Sequence, residues 1–283
     1  MWFASPADVR ERLAAVDYLA DDAIATSVFL AAALGKPLLA EGPAGVGKTQ
    51  LAKAVAAATG AQLIRLQCYE GLDEARALYE WNYKKQLLRI QAGNGQDWDA
   101  THDDIFTEEF LLERPLLAAI RAEIPTVLLI DETDKADVEV EGLLLEILSD
   151  YQVTIPELGT ITAVRTPYVV LTSNATRELS EALKRRCLYL HLEYPAPERE
   201  RDIVLAQVPA IEAVLAEQLA RTVATLRTLE LKKAPSIAET IDWANTLLAL
   251  GRTELDEETA SSTLGVVLKH VSDQTRARKE LGL

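Results

Sequence analysis

Eight consecutive residues constrain this chain more than any other feature. Gly42-Pro43-Ala44-Gly45-Val46-Gly47-Lys48-Thr49 follow a short apolar run, Leu38-Leu39-Ala40, and open an alanine-rich stretch that reaches Thr59 before Gly60. The spacing is GxxxxGK[ST], a phosphate-binding loop set between a strand and a helix. Glycines let the backbone turn its N–H groups inward around a phosphate, and a helix starting near Lys48 adds the positive end of its dipole. On this reading Lys48 reaches the β- and γ-phosphates of ATP and the Thr49 hydroxyl holds Mg²⁺. Gln50, in the same first helical turn, joins the nucleotide-binding set. The competing reading is an ordinary tight turn, but a chance match is expected in only about one in a hundred chains of this length.

The rest of the chain supplies the setting that such a loop needs. Val127-Leu128-Leu129-Ile130 is a continuous apolar run, as expected of a strand buried on both faces of a parallel sheet. Residues 61–67 alternate, and Tyr168 to Thr172 and Leu188 to Leu192 read as further strands. A helix over 138–149 puts Val140, Leu143, Leu144, Ile147 and Leu148 on one face, and residues 8–34 read as helix up to the break at Gly35-Lys36-Pro37. Strands alternating with helices predict an α/β fold, a parallel-sheet core with helices on both faces. After Tyr194-Pro195-Ala196-Pro197 the pattern is helical throughout. The expected organisation is therefore an α/β domain over 1–195 and a smaller all-α domain over 196–283. Two segments interrupt the alternation: 71–108, with Tyr79, Trp81, Tyr83 and a polar loop from Gly93 to Asp104, and 150–166, whose pattern around Pro156 and Gly159 predicts a hairpin.

Three further positions carry candidate chemistry. Asp131-Glu132 follow the apolar strand at its carboxyl end, where open α/β sheets bind ligands. Asp131 there can hold Mg²⁺, and Glu132 can polarise an attacking water. Ser173-Asn174 end the next strand, and the Asn174 amide can hold that water or touch the γ-phosphate. Arg185-Arg186, ahead of the 188–192 strand, can stabilise charge on the γ-phosphate of a neighbouring subunit. Taken alone, an acidic pair after a strand is more often the start of a loop, and two arginines more often a solvated helix end. Behind a phosphate loop the weight shifts to chemistry.

Other classes are disfavoured. A net charge of −15 with only short basic clusters argues against general nucleic-acid binding, which depends on neutralising phosphates. Cys68 and Cys187 form no disulfide framework, and the opening Met1–Pro6 lacks the features of a signal peptide. No apolar run is long enough to span a bilayer, so a cytoplasmic protein with no membrane partner is expected. Asp97, Asp99, Thr101, Asp103 and Glu108 fall at calcium-loop positions, but His102 stands where the turn needs glycine. The three histidines have no zinc spacing, no GxSxG turn is present, and Arg276 to Lys279 reads as a complement to a helix end.

With these elements in order, the chain resembles the AAA+ ATPases over nearly its whole length, and within them the MoxR family. Leu66-Gln67-Cys68-Tyr69-Glu70-Gly71 with Leu78-Tyr79-Glu80-Trp81-Asn82-Tyr83 is similar to the CoxD-type subgroup, associated with maturation of molybdenum-containing carbon monoxide dehydrogenase. The resemblance implies a homo-oligomeric ring, typically a hexamer, with ATP between subunits. It implies work beside a von Willebrand factor A domain protein on a metalloenzyme client. It makes Asp131 and Glu132 the Walker B pair, Asn174 sensor 1, and Arg186, ahead of Arg185, the arginine-finger candidate. The all-α domain becomes the lid, 71–108 the insert in the second helix, and 150–166 the hairpin before sensor 1. For Trp81 and Tyr83 two readings stand, contact with a client or packing of the insert onto its own domain. One departure is Ile237, which stands in Ala234-Pro235-Ser236-Ile237 where the sensor 2 arginine is expected. The expected function is an ATP-hydrolysing remodelling machine for metalloenzyme maturation. The alternatives are a nucleic-acid motor or clamp-loader-like ATPase, and a regulatory ATP-binding scaffold with little turnover.

Overall fold

The computed structural model describes residues 2–92 and 105–282. By compactness the chain divides into two units. One comprises Met1–Val16, Ala20–Glu41 and Thr49–His191, the other Asp17–Leu19, Gly42–Lys48 and Leu192–Leu283. Gly42–Lys48 thus fall with the C-terminal residues in this division.

The first unit is built on a five-stranded parallel sheet of β1 (Leu38–Glu41), β2 (Gln62–Gln67), β5 (Thr126–Asp131), β8 (Tyr168–Ser173) and β9 (Leu188–His191), in the order β2-β5-β8-β1-β9. Connections from β1 run to the far edge and then return across the sheet. Right-handed crossovers therefore place α3 (Lys48–Thr59) on one face and α6 (Pro115–Arg121), α7 (Val138–Asp150) and α8 (Glu181–Arg186) on the other. Every residue of β5 and β8 is buried, which is why both read as unbroken apolar runs. The edge strand β2 buries only Leu66. Register sets Gln67 opposite Asp131, and Ala40 and Glu41 opposite Thr172 and Ser173, so the candidate residues of three strands end at one rim.

Residues 8–34 are not one helix. α1 (Pro6–Ala14) and α2 (Asp22–Leu34) are separated by Asp17 at φ +59°, and Asp21 caps α2 by accepting the Ile24 N–H at 2.8 Å. A capping aspartate competes with helix continuation, and apolar spacing alone does not reveal it. β6 (Gln152–Ile155) and β7 (Gly159–Thr162) form the hairpin, with Gln152 opposite Thr162. Within 71–108 the structure places α4 (Glu74–Ala77), β3 (Tyr79–Trp81) and α5 (Tyr83–Ala92). β3 pairs antiparallel with β4 (Leu111–Glu113), a ribbon too short to show period-two alternation in sequence. Trp81 is 7% exposed, in the same core cluster as Phe110, and meets Phe106 edge-on at 5.2 Å, whereas Tyr83 is exposed. Of the calcium-loop candidates, Asp97, Asp99, Thr101 and Asp103 lie outside the described residues, and Glu108 is paired with Arg121 at 2.6 Å.

The second unit is helical, with no strand among its described residues: α9 (Pro197–Gln207), α10 (Ala213–Arg227), α11 (Ile237–Ala249), α12 (Glu257–Thr263) and α13 (Val271–Leu281). Leu215, Leu219, Val223, Leu226, Trp243 and Leu247 supply much of its core, and the Trp243 indole N–H is satisfied by the Thr263 hydroxyl at 2.7 Å. Among the described residues no helix is long and apolar enough to cross a membrane.

Candidate functional site

The loop Gly42–Lys48 is buttressed by side chains and backbone that follow the sheet in sequence. The Tyr194 hydroxyl donates to the Ala44 carbonyl at 3.1 Å, and the Ile237 N–H donates to the Gly45 carbonyl at 3.2 Å. Tyr194 in turn lies under the Arg227 guanidinium at 4.2 Å, and Arg227 forms an ion pair with the fully buried Glu200. Arg227 Nε also donates to the Pro235 carbonyl at 2.8 Å, one residue before Ser236. Ser236 begins α11 in a capping box: its N–H donates to Glu239 at 2.7 Å and its hydroxyl accepts the Glu239 N–H. Glu239 keeps its charge there, because the Ser236 and Lys233 hydrogen bonds outweigh the burial that opposes it and hold its carboxyl below the usual range. Lys48 is buried, and its ammonium donates to the Gly42 and Pro43 carbonyls, both at 2.7 Å.

The rim of the sheet gathers the other candidates. Asp131, 2% exposed, accepts at Oδ1 from the hydroxyls of Thr49 (2.9 Å) and Thr172 (2.6 Å). Its Oδ2 accepts Nε (3.0 Å) and Nη2 (2.5 Å) of Arg65. Glu132 sits in the left-handed region at φ +57°, its N–H held by the Thr172 hydroxyl at 2.9 Å and its carboxylate paired with Lys135 at 2.7 Å. That carboxylate holds the Lys135 ammonium above its usual range. Asp134 is buried and accepts the backbone N–H groups of Asn174 and Thr176, each at 3.1 Å, and the Thr176 hydroxyl. Burial opposes its charge, but these hydrogen bonds prevail and its carboxyl lies below the ordinary value. Asn174 is thus positioned through its backbone, one residue before Ala175 at φ +56°. The Cys68 thiol registers the local field: burial first, then Asp131, Asp134 and Glu132, push it up to about 12.

Arg185 and Arg186 separate. Arg186 Nε donates to the Ser149 hydroxyl at 2.6 Å and Nη1 to the Ala182 carbonyl at 3.1 Å. Arg185 is exposed, and its side chain makes no hydrogen bond or ion pair among the described residues. The sequence preference for Arg186 thus falls on the arginine already held within its own chain. Sequence reading also missed Arg65, Thr172 and Asp134. Strand neighbours are what bring the first two to Asp131, and sheet order is not written in the motif spacing.

The donor set suits a magnesium ion. Thr49 and Asp131 present hard oxygens in contact with one another, in a field that carboxylates make negative. The loop suits a phosphate, with Gly45 and Gly47 at φ +77° and +95° and an ammonium beneath. Among the described residues no cluster of His, Cys, Asp and Glu could hold another metal.

Comparison with known proteins matches residues 37–187, more than half of the chain, to the model of the AAA domain (dynein-related subfamily). A protein of Staphylococcus haemolyticus (strain JCSC1435), named Uncharacterized protein SH1500, is 25% identical over 229 residues, covering 77% of this chain and 80% of the relative. Among solved structures, one mutant form of Thermotoga maritima RuvB is similar with a TM-score of 0.51 at 19% identity, over 93% of this chain and 71% of that one. A second RuvB mutant gives 0.50 at 18% identity, over 92% and 68%. These likenesses concern the fold.

Proposed function

The chain belongs to the AAA domain family (dynein-related subfamily), and from that premise we propose that it is a magnesium-dependent ATPase working as a remodelling machine. The observation that carries the reading is the 2.9 Å contact between the Thr49 hydroxyl and the Asp131 carboxylate, residues 82 positions apart. A strand end and a helix start meet there with the two oxygen groups that magnesium needs.

The residues divide the work. Gly42, Ala44, Gly45, Val46 and Gly47 direct backbone N–H groups at the phosphates, and Pro43, which has no N–H to give, fixes the turn between them. Lys48 exchanges the Gly42 and Pro43 carbonyls for β- and γ-phosphate oxygens, and Gln50 completes the first helical turn. Thr49 and Asp131 would hold magnesium, which when bound would neutralise charge on the phosphates. Glu132 leaves Lys135 to orient and polarise a water, and Asn174, fixed by Asp134, holds that water in line with the γ-phosphate. Arg185 supplies a guanidinium to the γ-phosphate bound by the next subunit of a ring. We place the chain in the cytoplasm and in the MoxR family, CoxD-like subgroup, with a von Willebrand factor A domain partner and a metalloenzyme client. The support for that finer placement is the resemblance carried by residues 66–71 and 78–83.

A second reading, an ATP-binding scaffold with little turnover, is favoured by the Glu132–Lys135 ion pair and by Ile237 at the start of α11. The nucleic-acid reading has the net charge of −15 against it. ATP binding and hydrolysis by wild type, Lys48→Ala and Glu132→Gln separate the first two. Hydrolysis lost in both variants, with binding lost only in Lys48→Ala, is the outcome for an enzyme. Binding without measurable turnover in the wild type is the outcome for a scaffold.

A further inference from the structure

Both oxygens of Asp131 are already saturated. Oδ1 takes two hydroxyls and Oδ2 takes two N–H groups of one guanidinium, which uses the roughly four lone-pair directions of a carboxylate. The partners are not equivalent. The hydroxyls of Thr49 and Thr172 keep acceptor lone pairs and can rotate beside a metal. The Arg65 guanidinium has a permanent positive charge, donors only, and no way to share Oδ2 with a divalent cation.

Arg65 sits opposite Leu129 on the neighbouring strand, two residues before Gln67, which lies opposite Asp131. Its side chain therefore runs along the sheet to the carboxyl rim, where Nη2 also meets the Gln67 amide oxygen. The two ends of the ion pair differ in exposure, 47% for the Arg65 side chain and 3% for that of Asp131. The arginine can withdraw to water and to Gln67, while the carboxylate stays where it is.

We propose that Arg65 is a positioning residue that competes with magnesium for Asp131, so that the metal engages this carboxylate only as Arg65 withdraws. The inference rests on the Mg·ATP reading above. It gives the site a metal threshold set by a residue of the edge strand, outside both the phosphate loop and the Asp131-Glu132 pair.

The test is nucleotide affinity measured by calorimetry, first in chelator and then along a Mg²⁺ titration, for wild type, Arg65→Ala, Arg65→Lys and Asp131→Asn. In Arg65→Ala the half-saturating Mg²⁺ falls roughly three- to ten-fold, the loss of charge-assisted hydrogen bonds read as a ratio, while affinity in chelator is unchanged. Arg65→Lys keeps the charge without the two-pronged geometry and falls between; it carries the test alone where Arg65→Ala does not fold. In the Asp131→Asn background, adding Arg65→Ala shifts nothing. A Mg²⁺ midpoint that is unmoved or raised in the Arg65 variants overturns the inference while leaving the ATPase reading intact. A wild type that binds no nucleotide, with or without metal, overturns both.

Discussion

A methyl group is enough to separate the three glycines of the phosphate loop. Built at Gly45, a Cβ stands 2.1 Å from the Ser236 Cβ, and at Gly42 it stands 2.0 Å from the Leu192 carbonyl oxygen. At Gly47 its nearest neighbour is Tyr18 at 3.9 Å, an ordinary contact, and only the backbone angle objects. Gly45→Ala is therefore expected to cost about 2–4 kcal/mol of stability and to abolish ATP binding, and Gly47→Ala about 1–2 kcal/mol, measured by urea denaturation. Asp134 gives a pH signature. Its folded value lies below that of an unfolded aspartate, so its stabilisation is complete above about pH 4 and is lost as pH falls through the lower folded value. Asp134→Asn should then flatten the acid limb of the stability curve below about pH 4 while lowering stability at neutral pH. The glycines and the Asp131-Glu132 pair were legible because local spacing encodes them. Arg65, Thr172 and Asp134 were not, because their partners are chosen by strand order and by turns far apart in the chain.

At the scale of elements, the strands of the sheet centre declared themselves through continuous apolar runs, and α3 through its alanines. What stayed hidden was short or cap-dependent: the division of 8–34 by Asp21, and the β3–β4 ribbon that draws Trp81 into the core. That ribbon assigns the two insert aromatics different work. Trp81→Ala should destabilise the fold by about 3–5 kcal/mol, whereas Tyr83→Ala should stay within about 0.5 kcal/mol in the same denaturation experiment. At the start of α11, Ser236→Ala removes one half of a capping box and should cost about 1 kcal/mol. Because Ser236 also faces Gly45, that variant should weaken ATP binding as well, which a cap serving its helix alone would not do.

At the scale of the molecule, the proposed ring predicts turnover per chain that rises with protein concentration. Arg185→Ala should remove most of that turnover while leaving ATP affinity intact, and Arg186→Ala should act mainly on stability through the lost Ser149 contact. Turnover independent of concentration, with Arg185→Ala fully active, would reject a finger supplied by a neighbour. A motif scan inspects eight adjacent letters, but the molecule spells its phosphate loop with Leu192, Tyr194, Ser236 and Ile237 as well. A gene clipped after His191 would still display the whole signature and encode a loop stripped of its scaffolding. For relatives of this chain, the presence of GxxxxGKT is thus a statement about ancestry, and the downstream residues that brace it are the better guide to whether the loop still works.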